Sequence, residues 1–208
     1  MAAKKTAKNR KPVAAAKKPG GSMRKTAAKS AAPKKAVRAS PARPAGASNG
    51  QAVQHAVEQF LYRQAELLDA KRWQDYVDLF SEDGIYWMPA RPEDTTWDGV
   101  PSIFAEDKNL MNVRMGRVQH PDAWSQRPLW GTNHVVGNVI VERVAANGDV
   151  VAHSRFHMLE LRRDNVRHFA GAYLHHLKKT RDGYRIKLQR VDMTNAQAAF
   201  DYVLQVWV

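Results

Sequence analysis

The fold is decided by residues 60–89, which read FLYRQAELLDAKRWQDYVDLFSEDGIYWMP. The first half of this stretch predicts an amphipathic helix, because apolar residues recur there at intervals of three and four. These positions, together with two that precede the stretch, are Val53, Val57, Phe60, Leu61, Ala65 and Leu68. A second short helix is predicted directly afterwards, and its apolar face consists of Trp73, Tyr76, Val77 and Phe80.

The last residues of the stretch predict a turn followed by a strand. Residues 81–84, which read SEDG, interrupt the helical period. The run from Ile85 to Met88 is rich in aromatic and β-branched residues and favours an extended chain. Pro89 has no N–H to donate to a neighbouring strand, so we expect it to end this strand or to confine it to a sheet edge.

The net charge of +13 is distributed very unevenly along the chain. Residues 1–50 hold ten Lys, four Arg and no acidic residue, so this segment alone carries +14. Residues 51–208 hold the remaining 19 basic residues and all 20 acidic ones, which gives −1. A nearly neutral domain of this kind lacks the charge typical of a protein that binds phosphates along a basic groove.

Residues 1–50 are predicted to be a disordered basic tail. They contain no aromatic residue, Leu or Ile, so they cannot bury enough apolar surface to offset chain entropy. The tail is either a plain solvated segment or a tether for an anionic partner such as nucleic acid, an acidic protein or a membrane surface. A mitochondrial transit peptide is a minor third interpretation, because the tail is dominated by Lys and interrupted by Pro.

Residues 51–208 are predicted to form one domain around a single core. No run of about eighteen apolar residues occurs in the sequence, so no membrane span is expected. The chain has no cysteine, which excludes disulfides, zinc ribbons, a cysteine nucleophile and any cysteine-ligated iron–sulfur cluster in this chain. The expected location is a reducing cytoplasm, with which this composition is compatible.

The second half of the domain predicts one more helix and then a meander of strands. Residues 101–118 predict a helix with a loose apolar face, which His120-Pro121 terminates. From residue 129 onward the chain is rich in Val, Tyr, Phe and His and is punctuated by three two-residue turn signals. These signals are Asn147-Gly148, Asp164-Asn165 and Asp182-Gly183.

If these pairs are the turns, the register of each hairpin is fixed, and Val139 is predicted to face Phe156. One face of the four strands is then continuously apolar, and the N-terminal helices would cover it. Its residues are Val139, Val141, Ala152, Phe156, Met158, Phe169, Tyr173, Leu177, Ile186 and Leu188. The predicted fold class is therefore α+β, with a curved antiparallel sheet wrapped on N-terminal helices as a cone.

The opposite face of the sheet is predicted to be an interface, because it is too apolar for free water and too polar for a core. It carries Ile140, Glu142, His153, Arg155, His157, Leu159 and Leu161. Three tryptophans in polar surroundings are predicted to anchor a partner as well. They are Trp97, Trp124 and Trp130.

The eight histidines raise the question of a metal site, such as the two-histidine, one-carboxylate set that holds non-haem iron. His153 and His157 would point the same way from one strand but stand about 13 Å apart, since a strand rises roughly 3.3 Å per residue. His175 and His176 would point to opposite faces. No metal site is therefore predicted, and we interpret the histidines as structural or interfacial.

The alternative candidate site consists of Asp192, His175 and Tyr173. On the predicted inner face His175 neighbours Ser154 and Arg190, and Tyr173 neighbours Asp192. An Asp beside a His or Tyr in a concave apolar sheet could transfer protons, as a free-standing isomerase, dehydratase or cyclase requires. The competing interpretation is that Arg190 and Asp192 neutralise each other near the sheet edge.

Several stretches of the sequence resemble the beta subunit of aromatic-ring-hydroxylating dioxygenases. The similarity spans about residues 53–208 and is carried by FLYRQAELLDAKRW, LFSEDGIYWMP, AEDKNLMNVRMGRV, Asn138-Val139 and LQRVDM. The most specific parts are the two helices that lead into Tyr86-Trp87-Met88-Pro89 and the passage from Asp107 to Arg114. Many cone proteins share the order of elements but not these residues.

The resemblance implies the cone fold shared with ketosteroid isomerase, scytalone dehydratase and nuclear transport factor 2. It also implies a structural subunit of an oxidoreductase that functions in aromatic compound catabolism. The expected partner is a catalytic alpha subunit, in an α3β3 hexamer. That subunit would carry the Rieske [2Fe–2S] cluster and the mononuclear iron, and a ferredoxin and a reductase would act through it.

Beta subunits of this family are not assigned catalytic residues, so the resemblance implies no catalytic residue, cofactor-binding residue or metal ligand in this chain. The basic tail is not part of the family pattern.

Overall fold

The computed structural model describes residues 45–127, 130–198, 204 and 206–208, with side chains described from residue 49 onward. All of these residues belong to one unit, Ala42–Val208. Residues 1–44 of the predicted tail therefore lie outside the described residues. Its last six residues belong to the first helix, which begins at Ala45, ahead of the predicted domain boundary. Extending a helix that is already nucleated costs far less than starting one, so a short Ala- and Ser-containing segment can join it.

The described chain contains three α-helices, one 3-10 turn and six strands. The helices are α1 (Ala45–Asp69), α2 (Trp73–Val77) and α3 (Lys108–Gln119), and the 3-10 turn is Trp124–Gln126. The strands are β1 (Phe80–Pro89), β2 (Ser102–Asp107), β3 (Trp130–Val144), β4 (Val150–Arg162), β5 (Asn165–Thr180) and β6 (Gly183–Met193).

The predicted face of the first helix is confirmed, and that of the second is confirmed except at Phe80, which begins strand β1. In α1, Val57, Leu61, Ala65 and Leu68 are buried, and the partly buried Val53 and Phe60 pack against the same core. The apolar face of the second segment is buried as well, and it consists of Trp73, Tyr76, Val77 and Phe80. Each large side chain removed from water in this way contributes about 2 kcal/mol, which makes this helix layer the main support of the fold.

The predicted turn at residues 81–84 is instead a bulge inside β1. The pairing of β1 with β6 shifts register between Phe80 and Ile85, so β1 has more residues than β6 in this interval and bulges there. Gly84 lies so close to the neighbouring strand that an added Cβ would stand 2.7 Å from the carbonyl oxygen of Ile186. Pro89 ends the strand as predicted.

The predicted helix over residues 101–118 is wrong in its first third, because Ser102–Asp107 forms β2 and pairs antiparallel with β1. Phe104 and Glu106 are buried while their neighbours are less so, which is the two-residue period of a strand. The helix starts only at Lys108, where the Asp107 side chain accepts a hydrogen bond from the Leu110 N–H at 2.8 Å. It ends at Gln119, before His120-Pro121, as predicted.

The six strands form one sheet in the order β2-β1-β6-β5-β4-β3. The β1–β6 pair is parallel and the other four pairs are antiparallel. The antiparallel meander of β3 to β6 was predicted. The return of β1 to the middle of the sheet was not, because no local signal states which strand a chain will pair with across a hundred residues.

Helix α1 closes the free edge of the sheet along β3. The side-chain amide of Gln54 acts like a strand residue: its Nε2 donates to the Val139 carbonyl at 2.7 Å, and its Oε1 accepts from the Val141 N–H at 3.2 Å. Farther along the helix, Asp69 accepts a hydrogen bond from the His134 N–H at 2.8 Å. These bonds satisfy backbone groups that an edge strand would otherwise offer to another chain.

The predicted register is wrong at all three hairpins. Phe156 faces Val136 rather than Val139, because a loop of five residues connects β3 to β4 and β3 contains two bulges, one at Asn138 with a φ of 51°. The other two turns each fall one residue earlier than predicted, at Arg163-Asp164 and at Arg181-Asp182. In the β4–β5 pair, and in the β5–β6 pair next to its turn, this changes the pairing by two residues, which leaves the face of each side chain unchanged.

The predicted inner face is confirmed with one exception. Eight of its ten residues are buried, and Val139 and Val141 are partly buried against the same core. The exception is Leu188, which is buried but pairs with His176 and so lies on the other side of the sheet. A bulge in the β5–β6 pairing between His176 and Leu177 exchanges the faces beyond it.

The last described residues return to the core. Trp207 is buried beside Tyr76, at 5.2 Å between ring centroids, and its indole Nε1 donates to Glu106 at 3.0 Å. The Val208 N–H donates to the Tyr86 hydroxyl at 3.2 Å. These bonds tie the end of the chain to β1 and β2, across the sheet from the helix-covered edge.

We predict that Gly171→Ala destabilises the domain by about 2 kcal/mol or more, because a Cβ at this position would overlap the backbone carbonyl of Asp192 on β6. The matched control is Gly116→Ala, where nothing lies within 4 Å of the new Cβ. Since Gly116 lies inside α3, that change should be neutral or stabilise by up to about 1 kcal/mol. Urea unfolding of both variants measures the difference, and equal free energies of unfolding would contradict the observed packing of β5 on β6.

Candidate assembly surface

One side of β3, β4 and β5 faces away from α1 and α2, and we call it the outer face. Cross-strand pairing arranges it in rows that run from β3 through β4 to β5. The rows are Gly131, Leu161 and Val166; Asn133, Leu159 and His168; Val135, His157 and Ala170; Gly137, Arg155 and Ala172; and Ile140, His153 and Leu174. The residues predicted from sequence for this face all lie on it.

The outer face exposes more large apolar side chains than a solvated sheet needs. Four of them are spread over four of the five rows: Val135 is 62% exposed, Ile140 61%, Val166 56% and Leu159 38%. Large apolar side chains exposed on one face of a folded domain are typical of a protein interface. The sequence prediction missed Val135, Val166 and His168 because it followed only part of β3 and β4, although the alternation of β5 carries the same signal.

The polar groups of the outer face are mostly basic or titratable. His153 shares a hydrogen bond with the exposed Glu142, between Nε2 and Oε2 at 2.6 Å. Three residues here are exposed, and their side chains form no hydrogen bond or ion pair within the part of the chain that the structure describes: Arg155, His157 and His168. The face therefore combines apolar side chains with one cationic arginine and two histidines whose side chains have no partner in the described structure.

The remainder of this side of the sheet is covered by the chain itself. Residues 90–101 form a loop that packs over β1 and β6. In it, Trp97 packs on Trp87 with ring centroids 6.1 Å apart, and the Pro92 carbonyl accepts a hydrogen bond from Arg190 at 2.8 Å. The Arg190 guanidinium also lies over the Trp87 ring at 4.5 Å. Because this loop covers two strands, it confines the uncovered surface to β3, β4 and β5.

The three tryptophans predicted to anchor a partner differ in their exposure to solvent. Trp124 is 75% exposed, with the Arg127 guanidinium 4.1 Å from its ring centroid, and Trp97 is 39% exposed. The prediction is wrong for Trp130, which begins β3 and is buried against Trp73 in a stacked pair with centroids 6.0 Å apart. Lys71 covers its other side at 3.8 Å, so the polar neighbours seen in the sequence surround a core side chain.

The alternative candidate residues do not come together. His175 and Tyr173 lie on the inner face, with ring centroids 5.5 Å apart, and pair with Gln189 and Val191. Asp192 pairs with Ala172 and therefore points to the other side of the sheet. The bulge in the β5–β6 pairing is the reason, because it removes the pairing of Tyr173 with Asp192 that the sequence predicted.

Asp192 and Arg190 instead neutralise each other, as the competing interpretation predicted. The guanidinium donates to both carboxylate oxygens, with Nε 2.8 Å from Oδ2 and an Nη atom 2.7 Å from Oδ1. Arg190 is further held by the carbonyls of Pro92 and Asp94. The Asp192 carboxylate therefore has a structural role: it holds Arg190, and Arg190 holds the loop of residues 90–101.

His175 is a neutral core residue. It is fully buried, its Nε2 lies 3.1 Å from the Gln64 Oε1, and burial together with the charge of His176 lowers its pKa to about 3. A base with so low a pKa is a weak proton acceptor at neutral pH. Tyr173 is also buried, and burial raises the pKa of its hydroxyl well above the ordinary value, so it stays protonated.

The structure offers no constellation for metal binding within residues 45–127, 130–198, 204 and 206–208, where no three His, Asp or Glu side chains lie close enough to hold an ion. An open cavity of about 930 Å³ borders α3 and is lined by Phe104, Val113 and Arg114, among others. The Arg114 guanidinium is already paired with Glu106 and lies over the Phe104 ring. Within the described residues no helix is long and apolar enough to cross a membrane.

Comparison with known proteins identifies relatives of most of the domain. Residues 63–198 match the family model described as ring hydroxylating beta subunit. The small subunit of anthranilate 1,2-dioxygenase from Acinetobacter baylyi is 32% identical over 145 residues, which cover 67% of this chain and 88% of that protein. The beta subunit of benzene 1,2-dioxygenase from Pseudomonas putida is 31% identical over 112 residues, covering 50% of this chain and 60% of the relative.

A solved structure shows the same fold. The beta subunit of the benzoate 1,2-dioxygenase from Burkholderia mallei superposes with a TM-score of 0.58 at 23% identity, over 71% of this chain and 95% of that one. The predicted α+β cone is thereby confirmed.

We predict that His175 makes the domain less stable as the pH falls. Because the folded-state pKa is lowered from 6.5 to about 3, the unfolded chain binds the proton more readily, so stability is complete above about pH 6.5 and is lost as the pH falls toward about 3. In His175→Gln, which keeps a neutral polar group beside Gln64, this dependence should become shallower. Unfolding free energies measured at several pH values test this.

The matched control for that experiment is Ser154→Ala. Its buried hydroxyl has no hydrogen-bond partner in the described structure, and it does not titrate. The control should keep the pH dependence of the parent chain. If the free energy of unfolding depends on pH equally in the parent and in His175→Gln, another group is responsible for the pH dependence.

Proposed function

The chain belongs to the family of ring hydroxylating beta subunits, and we propose that it serves an aromatic-ring-hydroxylating dioxygenase as the structural partner of a catalytic alpha subunit. The observation that carries this proposal is the family match over residues 63–198, which includes α2, α3 and the whole sheet. The same match favours this function over that of a free-standing isomerase, dehydratase or cyclase.

The oxidative chemistry is proposed to occur in the alpha subunit, where the Rieske [2Fe–2S] cluster and the mononuclear iron are expected. A Rieske cluster needs cysteine thiolates as well as histidines, and this chain has no cysteine. A ferredoxin and a reductase would deliver electrons to the alpha subunit without using residues of this chain. Its own contribution is then to hold the alpha subunits in the assembled state.

The outer face is the surface proposed for this assembly. Its exposed apolar residues would lose contact with water when another chain packs on β3, β4 and β5, which supplies a driving force of about 25 cal/mol per Å². An α3β3 hexamer repeats this contact three times. The cytoplasm is the proposed location.

The basic tail is proposed to bind an anionic partner weakly and separately from the assembly. Its support is the sequence alone: fourteen positive charges and no negative one before residue 45. Such a segment attracts polyanions without a folded site.

We predict that the double change Val135→Asp and Ile140→Asp prevents association with the alpha subunit, because it places two carboxylates in the apolar part of the outer face. Both positions are more than 60% exposed, so the variant should still fold. The matched control is Val113→Asp, which is 59% exposed on α3. Co-purification of the full chain with its alpha subunit measures the effect, and loss of association in the control alone would move the interface to α3.

We also predict that Tyr173→Phe leaves turnover by the assembled dioxygenase within about twofold of the parent. The aromatic ring stacks on Phe156 at 4.3 Å between centroids, and Phe preserves that contact. The rate of dioxygen consumption with an aromatic substrate is the measurement. A loss of a hundredfold or more in a complex that still assembles would make this chain catalytic and refute a structural role.

Removal of residues 1–44 should leave assembly with the alpha subunit unchanged and should abolish binding to a polyanion such as heparin. Binding of the full chain should also weaken steeply as salt rises, because it depends on released counterions. Retention on heparin and co-purification with the alpha subunit are the two measurements. A truncated chain that binds heparin as well as the full one would refute the proposed role of the tail.

A further inference from the structure

The three strands of the outer face are unusually poor in acidic residues. Glu142 and Glu160 are the only ones in β3, β4 and β5. Glu160 is fully buried and forms an ion pair with Arg167 at 2.5 Å. Glu142 lies on the outer face but is already engaged by His153. Glu142 is therefore the one exposed carboxylate on these three strands, and it already has a hydrogen-bond partner.

Arg155 is the unbalanced charge at the centre of this surface. It stands on β4 between Gly137 and Ala172, two small residues that leave its side chain uncovered. An added Cβ at Gly137 would meet nothing within 4 Å, so the surface beside Arg155 is open. The Arg155 side chain forms no hydrogen bond or ion pair with any residue from 45 to 127 or from 130 to 198, and it is exposed.

Two histidines add hydrogen-bonding groups on one side of the arginine. His157 lies in the row with Val135 and Ala170, and His168 lies in the next row beside Leu159. Both rings are exposed and can donate hydrogen bonds to an acceptor on another chain. The apolar side chains and the donors thus alternate over one surface.

We propose that this outer face binds a surface of the alpha subunit that is both apolar and acidic, and that Arg155 is the residue that selects it. The inference rests on the function proposed above and adds the chemistry of the partner. An Arg guanidinium can hold a carboxylate through two parallel hydrogen bonds, and an adjacent apolar contact excludes water from that pair. The nearby histidines offer further donors to the same acidic surface.

A second copy of this chain does not fit the same face. Two outer faces packed on each other would place Arg155 opposite a surface that carries a second Arg155 and whose one exposed carboxylate, Glu142, already shares a hydrogen bond with His153. Like charges brought together and deprived of water cost several kcal/mol. Charge complementarity therefore favours a different chain over self-association at this surface.

Charge reversal at Arg155 tests the inference in the full chain. Dissociation constants for the alpha subunit are measured for the parent, for Arg155→Glu and for Arg181→Glu, a matched control whose side chain is 93% exposed in the β5–β6 turn. The basic tail is present in all three chains, so its attraction to acidic surfaces contributes equally to the three dissociation constants. Thermal melting should confirm that the variants fold equally well, because neither side chain supports the core.

Arg155→Glu should raise the dissociation constant at least tenfold at about 0.05 M salt, and the difference should shrink toward about 0.5 M, where exposed charges are screened. Arg181→Glu should stay within about twofold of the parent. Equal effects of the two changes, or a difference that does not shrink with salt, would overturn the assignment. So would an isolated chain that dimerises through this face in a way that Arg155→Glu alters.

The outcomes separate this inference from the proposed function. A parent chain that does not bind the alpha subunit at all would refute the structural role, and the inference with it. A parent chain that binds while Arg155→Glu binds equally well would refute only the selection of an acidic surface.

Discussion

The burial of the inner face of the sheet against α1 and α2 is the interaction on which the rest of the structure depends. It takes the large apolar side chains of six strands out of water with a helix layer that belongs to the same chain. Because α1 also bonds to the backbone of β3, the sheet has no free edge on that side. Within residues 45–127 and 130–198, these helices and the loop of residues 90–101 leave the outer face of β3, β4 and β5 uncovered. A structural subunit requires such an exposed surface in order to bind its partner.

Buried polar groups fix the arrangement of this core more than they add to its stability. Glu106 binds Arg114 and the Trp207 indole, which joins β2, α3 and the end of the chain. Asp69 binds both the backbone and the ring of His134, the latter at 2.6 Å, so the end of α1 meets β3 in only one register. Such groups are costly to bury without partners, and their pairing excludes alternative packings.

The sequence predicted the parts of the fold that depend on local periodicity. The apolar spacing of α1 and the alternation of β4 and β5 read directly as a helix and a sheet with one buried face, and the similarity in Tyr86-Trp87-Met88-Pro89 pointed to the correct family. The register of the hairpins could not be read in the same way. The bulges at Asn138 and before Leu177 depend on contacts across strands, and the second of them moved Asp192 away from Tyr173. Trp130 was misassigned for a related reason, since Lys71 and Trp73 reach it from another element.

We propose that this chain buries the inner face with its own helices and that the alpha subunit buries the outer face. A structure of the full chain assembled with its alpha subunit tests it most directly, through the exposure of Val135, Ile140, Leu159 and Val166. All four side chains should be buried by a neighbouring chain, with an acidic residue of that chain beside Arg155. An assembled complex that leaves these residues in solvent and contacts a different surface of the domain would contradict it.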